Sequence, residues 1–416
     1  MSQGDSPTLA PENIVKLKVN GTEYAGWKSV RIEPGIEQQA RSFELSVTDT
    51  WPGKSDLPRR VRPGDACQVW IGPDLVLTGY IDATPISYDG HSVTVGVKGR
   101  SKTADLVDCC PIEPAQSKVA AVAGGQWADV IGPNGKSGKP VAAAAKSAAQ
   151  WRNQKLEAIA AALAAPYGIN VYAEVDTGRV IPEHQIQQGE TVFESIDRMM
   201  RLRHVLSTDN ERGDLVFINV GSAGTATTAL ELGQNILSGS ASLDYTGVFS
   251  EYIVKGQRAG SDEQFAMDVA EQEGVSYEPA QSQTVDTGRS SDARATRRRV
   301  LVIKQFGQSD SGTSQDRADY ERAYRAAKAL QTVYTVYGWR QADGSLWRPN
   351  LLVTVRDGMI GFHQQMLIAQ VRWLLDKEGM RTEITVGPPD GYRTKAGRLK
   401  AAKSLKGGGP DWSDVR

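Results

Sequence analysis

Residues 62–81 read RPGDACQVWIGPDLVLTGYI, and residues 348–372 read RPNLLVTVRDGMIGFHQQMLIAQVR. Laying Arg62 on Arg348 also lays Pro63 on Pro349, Val69 on Val355 and Gly72 on Gly358. An insertion after the glycine then brings LVLTGYI onto MLIAQVR. Each phrase is an apolar run, a glycine turn and a second apolar run, the signature of two antiparallel strands joined by a hairpin. The same strand–turn–strand phrase therefore occurs twice in one chain, far apart.

Around the first copy the chain is strand territory. IVKLKVNGTEYAGWKSVRIE alternates about Asn20-Gly21, a strong hairpin signal, because both residues tolerate the positive φ of a type I′ turn. SFELSVTD, LVLTGYID and HSVTVGVKGRS follow, with period-2 sets at Phe43, Leu45, Val47 and at Val93, Val95, Val97. Short strands separated by Pro, Gly and Asp turns predict a small antiparallel barrel or sandwich over residues 12–108. Residues 109–230 read as an inserted mixed α/β region. It opens with a surface loop, 113–147, poor in large apolar groups. Leu156, Ile159 and Leu163 then share one helical face, and Pro166 with Gly168 ends that helix. Thr191 and Glu194 stand at capping-box spacing before a helix whose Phe193, Ile196 and Met200 align. Around the second copy, residues 231–259 and 297–388 predict a second barrel. It is interrupted by a polar loop, 260–296, expected to be mobile, and by a helix at 315–330 carrying Tyr320, Ala323, Tyr324 and Ala327. Residues 389–416 read as a basic polar tail. The fold class expected is α+β, mainly β: two related antiparallel β-barrel domains with an inserted mixed α/β region.

Composition narrows the function classes. With 416 residues there is enough chain for several cores, and a net charge of −1 gives no global attraction to nucleic acid or an anionic membrane. MSQGDSPTLAPEN lacks a signal peptide's regions, and no apolar run approaches the ~20 residues of a membrane span, so a soluble chain made in the cytoplasm is expected. Cys67, Cys109 and Cys110 are an odd set without CxxC spacing, which argues against a disulfide framework or a zinc site.

Signals for chemistry are sparse. IGPNGKSGKP ends like a P-loop, yet the position five before Gly135 is Val130 rather than glycine, so a surface loop is expected. His91, His184, His204 and His363 show no HExxH or HxH spacing and read as solvated or capping residues. No GxSxG elbow is present. No catalytic, cofactor-binding or metal-ligating residue is assigned, no cofactor is expected, and the chain does not read as an enzyme. Three basic clusters remain: Arg59, Arg60 and Arg62; Arg297, Arg298 and Arg299; and Arg393, Lys395, Arg398, Lys400, Lys403 and Lys406. They read as solvated charge or blunted strand edges, with contact to DNA or an acidic partner as the alternative.

In order along the chain, GRSKTADLVD, QGETVFESIDRMMRLRHVL, FSEYIVKGQ and WRPNLLVTVRD resemble the baseplate hub proteins of contractile phage tails, the Mu-like tail protein P and late-control D group. The likeness runs from about residue 12 to about residue 388. It departs at Arg356-Asp357-Gly358, where the family usually has proline after Arg-Asp. The resemblance implies a homotrimer with two related barrels per subunit, so that three chains present six barrels to a hexameric tail tube and a threefold face to a trimeric spike. It further implies contacts with tube, central spike and baseplate wedge proteins, transient contact with genome DNA in the lumen, no stable membrane association, and a place in the virion tail after assembly in the host cytoplasm. Its roles would be tail assembly, host cell entry and genome ejection. GETVFESIDRMMRL also resembles the opening of a LysM module, which leaves a peptidoglycan-binding or wall-degrading tail protein as the alternative.

Overall fold

The computed structural model describes residues 10–50, 61–89, 92–111, 150–203, 205–241, 244–257, 285–292, 295–308 and 313–392. The stretch 131–140, residues Arg59 and Arg60, His91, His204 and the tail beyond 392 therefore lie outside the described residues. The chain divides into two compact units. Among the described residues, one runs to Ser240 and resumes over Thr332–Val386; the other holds Ala241–Gln331 and residues 387–392.

In the first unit, strands β1 (Val15–Val19), β2 (Thr22–Tyr24), β3 (Ser29–Glu33), β4 (Ser42–Thr50), β5 (Ala66–Ile71), β6 (Asp74–Ala83), β7 (Ile86–Tyr88) and β8 (Ser92–Ser101) pair antiparallel throughout. Asn20 and Gly21 take φ of 50° and 79° between the paired Val19 and Thr22, the two-residue turn that the sequence predicts. Alternation places Leu17, Ile32, Leu45, Val69, Ile71, Leu77 and Val97 in the interior. Fully burying one such aliphatic side chain contributes about 1.5–3 kcal/mol. Gly72 closes the β5–β6 hairpin at φ 55°, and a Cβ there would stand 2.3 Å from the Glu12 carbonyl oxygen. Only glycine satisfies both the positive φ and that approach.

Next come α1 (Ala104–Asp108), β9 (Gln150–Gln154), α2 (Leu156–Ala164), β10 (Val171–Ala173), β11 (Ile181–Gln185), α3 (Val192–Arg203), β12 (Leu206–Asp209) and β13 (Leu215–Ile218). β10, β13 and β12 form one sheet, β9 and β11 another. Leu156, Ile159 and Leu163 of α2 meet Ile196, Met199 and Met200 of α3, with Leu215, Phe217 and Leu106, in one core. The capping box is reciprocal: Thr191 N–H donates to Glu194 Oε2 at 2.8 Å, and Glu194 N–H to Thr191 Oγ1 at 3.1 Å. α3 passes directly to the β12–β13 hairpin, without the second helix that a LysM module requires there.

β14 (Leu230–Glu231) and β15 (Ile236–Ala241) lead out of this unit. The second unit contains β16 (Glu251–Gln257), β17 (Val285–Ser291), β18 (Val300–Gln308) and α4 (Thr313–Ala329), with the sheet order β17-β16-β18. This corrects three boundaries. Residues 249–257 and 297–308 were expected in a second barrel, but they build a separate sheet in which Tyr252 and Val254 pack on Ala318 of α4. Residues 285–291, expected within the loop 260–296, pair with β16 as a strand. Gly391 and Tyr392, expected at the start of a polar tail, are buried; Gln331 Nε2 donates to the Tyr392 hydroxyl at 2.5 Å. A short alternating run predicts a strand but carries no information on which sheet receives it.

The chain re-enters the first unit with β19 (Thr332–Tyr337), β20 (Leu352–Asp357), β21 (Phe362–Asp376) and β22 (Gly379–Gly387). β20 and β21 form the hairpin expected from the second copy of the opening phrase. The registers differ in detail. Val69 faces Leu77 across a two-residue turn, whereas Val355 faces Gln364 across the four residues 358–361. The sequence alignment, which laid Leu77 on Ile368, slips by four residues along the strand. An even slip keeps each side chain on its own face, because side chains alternate with period two. β21 also pairs with β3, Trp373 opposite Ile32 and Leu375 opposite Val30. The two β sets thus join strand to strand in one 14-stranded sheet. The result is a mainly β, α+β protein built on antiparallel sheets.

Candidate functional site: a buried polar joint

Arg41 ends the turn before β4 and is 4% exposed. Its Nε donates to Asp209 Oδ1 at 3.1 Å, its backbone N–H to Asp209 Oδ2 at 2.9 Å, and a terminal nitrogen to the Asp209 carbonyl oxygen at 2.8 Å. Another terminal nitrogen donates to the Val76 carbonyl oxygen at 2.8 Å. Asp209, at the end of β12, is 3% exposed. Burial pushes its carboxyl upward, and the Arg41 guanidinium with the Ser101 hydroxyl opposes that push. A permanently charged guanidinium with Nε on the carboxylate and its terminal nitrogens on backbone carbonyl oxygens, the carboxylate accepting also from the Arg41 backbone N–H, has the satisfied donors that make a buried ion pair tenable.

The motif GRSKTADLVD supplies the rest of the joint. Ser101 and Thr103, both fully buried, share a hydrogen bond of 2.7 Å between their hydroxyls. Lys102 reaches Asp214 at 3.5 Å, and the same carboxylate accepts from the backbone and side chain of Asn170 at 3.2 Å each. Leu106 enters the core of the inserted region. The motif is therefore the covalent and polar bridge from the first β set to the α/β insertion. The sequence offered the motif as a family signature but no signal that Arg41 or Asp209 mattered, since they are 168 positions apart.

A second joint lies at the exit of the insertion. Asn350 accepts from Gly221 N–H at 2.7 Å and donates to the Asn219 carbonyl oxygen and Ser222 Oγ at 3.0 Å each. Arg340 donates to Asp74 at 2.8 Å, Asn13 at 3.1 Å and the Glu12 carbonyl oxygen at 2.5 Å, tying the first hairpin's tip to the second β set. Between the joints opens a cleft of about 450 Å³ whose wall includes Arg41, Asp209, Glu174, Gln341 and Asn350. These polar side chains already hold the chain to itself: Glu174 accepts from Ser222 at 2.6 Å, and Gln341 accepts from Thr227 N–H at 2.8 Å. These contacts fasten one stretch of the chain to another.

His184 departs from the solvated or capping role expected of it. It is 5% exposed, its Nε2 lies 2.8 Å from Ser195 Oγ, and its ring sits 6.0 Å from that of Trp151. Ser195 is fully buried within α3, so the Ser–His pair lies in the interior. Burial, together with the charge of Arg198, lowers the His184 pKa from 6.5 to about 4, with Glu190 opposing. The unfolded chain therefore takes up this proton first as pH falls. His184 leaves stability intact above pH 6.5 and withdraws about 3 kcal/mol by pH 4. Urea titrations of wild type and His184→Gln across that window should show a shallower loss in the variant; equal slopes would refute the assignment.

The remaining candidates are distributed as follows. Cys67 is buried, with its thiol pushed up to about 12 by burial, Cys109 is partly exposed and Cys110 exposed. Arg299 stacks 4.7 Å from the Phe249 ring and donates to the Tyr245 carbonyl oxygen, so this member of its cluster is structural. His363 is exposed. Among the described residues no group of three or more His, Cys, Asp and Glu side chains could hold a metal ion, and no helix is long and apolar enough to cross a membrane.

Antiparallel sets linked through an α/β insertion and fastened by buried joints define a mainly β member of the α+β class. Comparison with known proteins names the group. Residues 14–101 match the Mu phage baseplate assembly protein GpP-like N-terminal domain, residues 141–219 the baseplate hub protein gp44-like second domain, and residues 310–395 the GpP fourth domain. The baseplate hub protein gp44 of Escherichia phage Mu is 33% identical over 386 residues, 91% of this chain and 89% of that protein. The chain belongs to this family of baseplate hub proteins and is a component of the virion tail. Among solved structures, the 43 kDa tail protein of prophage MuSo2 from Shewanella oneidensis matches with a TM-score of 0.72 and 28% identity, over 92% of this chain and 99% of that one. The tail protein of Neisseria meningitidis MC58 shares the fold, with a TM-score of 0.68 at 19% identity, over 91% and 98%.

Proposed function

We propose that the chain is the structural hub of a contractile tail's baseplate, a non-enzymatic homotrimer that joins a sixfold tube to a threefold spike. The observation that carries this reading is the pair of like hairpins, β5–β6 and β20–β21, in one continuous sheet within one unit. Two similar β sets per chain let three chains offer six similar surfaces on one face, while the opposite face keeps the threefold symmetry of its maker. Each set acts as one of two barrels in a ring of six. The tube protein docks on that ring, the central spike on the other face, and wedge proteins on the periphery. Genome DNA passes through the lumen with at most transient, non-specific contact. The buried joints support the role, because an adapter that transmits load between two symmetries must not flex internally. Light scattering on the purified chain should return three times 45.0 kDa at micromolar concentration, and particle images down the axis should show six-lobed density. A stable monomer of 45.0 kDa would refute it.

A further inference from the structure

The three-stranded sheet of the second unit carries α4 on one face, where Tyr252 and Val254 pack on Ala318 and Leu301 and Ile303 join them. Alternation sends the intervening side chains to the opposite face. There Ile253 stands between Arg289 and Val302, and Lys255 stands beside Lys304. Val300 and Val302 are 39% and 56% exposed, and Lys255, Arg289 and Lys304 are exposed as well. Two lysines abreast on neighbouring strands repel each other, a local cost that an incoming anion removes.

The edge beside these side chains is open too. β18 is an end strand of its sheet and nine residues long. Glu251 N–H donates to the Arg299 carbonyl oxygen at 3.1 Å, which fixes the direction of the β18 backbone groups. Residues 299, 301 and 303 turn their N–H and C=O groups to β16, so Val300, Val302 and Lys304 turn theirs outward. Among the described residues no strand pairs with that outer side. Sheets blunt such an edge with a short strand, a proline, charges or a bulge. β18 reads VLVIKQFGQ, with Lys304 its one charge and no proline, and its register is regular from Val300 to Lys304.

We propose that this edge receives an extended, acidic segment of a partner protein as a fourth strand. The backbone edge supplies the pairing, and the open face selects the sequence: two apolar side chains opposite Val300 and Val302, and a carboxylate opposite Lys304. Duplex DNA fits the face less well. Phosphates would meet the cations but leave the valine row and the outward backbone groups unused, and the face has no aromatic side chain on which a base could stack. The edge belongs to each chain whether or not three chains assemble, so the docking stands or falls apart from the trimer reading.

Fluorescence anisotropy with the full chain and labelled, end-capped peptides tests it. ETVTVTE is palindromic and offers the same face whichever way it runs. It should bind, while KTVTVTK should bind about tenfold or more weakly because like charges then meet. N-methylation of the central V-T-V amides should weaken ETVTVTE at least as much, because the backbone donors are lost. Val302→Asp should weaken it about tenfold. Lys255→Glu/Lys304→Glu should reverse the preference between the two charged peptides, which a misfolded variant would not do. Absence of binding at about 1 mM, equal binding of all the peptides, or a preference that does not reverse would overturn the proposal. So would duplex DNA binding that is lost in the double-lysine variant while ETVTVTE stays unbound, which would make this a phosphate surface. A wild-type oligomer that Val302→Asp dissociates would place a second copy on the edge instead and overturn it equally.

Discussion

Asp209→Ala will lower the unfolding free energy of the first unit by about 3 kcal/mol, the cost of leaving a buried guanidinium with only the more distant carboxylate of Glu211, at 3.7 Å. Arg41 cannot shed its charge, being an arginine, and it cannot reach water, being 4% exposed. The loss should appear as a shifted urea midpoint with the slope retained. The double variant Arg41→Met/Asp209→Leu separates two explanations. If the pair acts by charge compensation, removing both charges will recover most of what Asp209→Ala loses, because apolar residues of similar volume need no partner. If the double variant is as unstable as the single, the hydrogen bonds from Arg41 to the Val76 and Asp209 carbonyl oxygens carry the joint instead.

Gly288→Ala will disrupt the second unit and spare the first. A Cβ at this β17 position would stand 2.1 Å from the carbonyl carbon and oxygen of Ser314, which are backbone atoms at the start of α4. No rotamer change relieves a clash with backbone, so the helix must leave the sheet that Tyr252 and Val254 bury beneath Ala318. Overpacking of this kind costs about 3 kcal/mol or more. Gly247→Ala is the matched control, since nothing lies within 4 Å of its added methyl. Hydrogen exchange should show protection lost at β16 and β18 in Gly288→Ala and unchanged at β4 and β8. Uniform protection in both units would show that the helix tolerates the shift.

The legible and illegible parts of this protein divide by the range of the interaction involved. Asn20-Gly21, the Thr191–Glu194 capping box and the alternation through Phe43 and Leu45 were readable because each is settled within a few residues. The paired phrases at 62–81 and 348–372 were readable as like hairpins, while their registers were not: turn length and a bulge near Val69 set the offset. His184 looked like a surface residue because nothing local announces that Trp151, Ser195 and α3 enclose it. The candidate joint was half visible. GRSKTADLVD stood out as a signature, but a lone Arg41 and a lone Asp209 are indistinguishable in sequence from solvated charges.

By itself, then, the sequence settled the β-rich class, the α/β insertion, the individual turns and caps, and the family to which the chain belongs. Tertiary structure decided that β3 pairs with β21 to merge two β sets, that residues 249–257 and 297–308 leave the expected barrel to form their own unit, and that Arg41 and Asp209 meet in the dark of a core. The reason is physical. Backbone propensity and turn geometry act over a few residues and are written locally, whereas strand partners and buried ion pairs are chosen by the free energy of the whole packed arrangement, to which no short stretch has access.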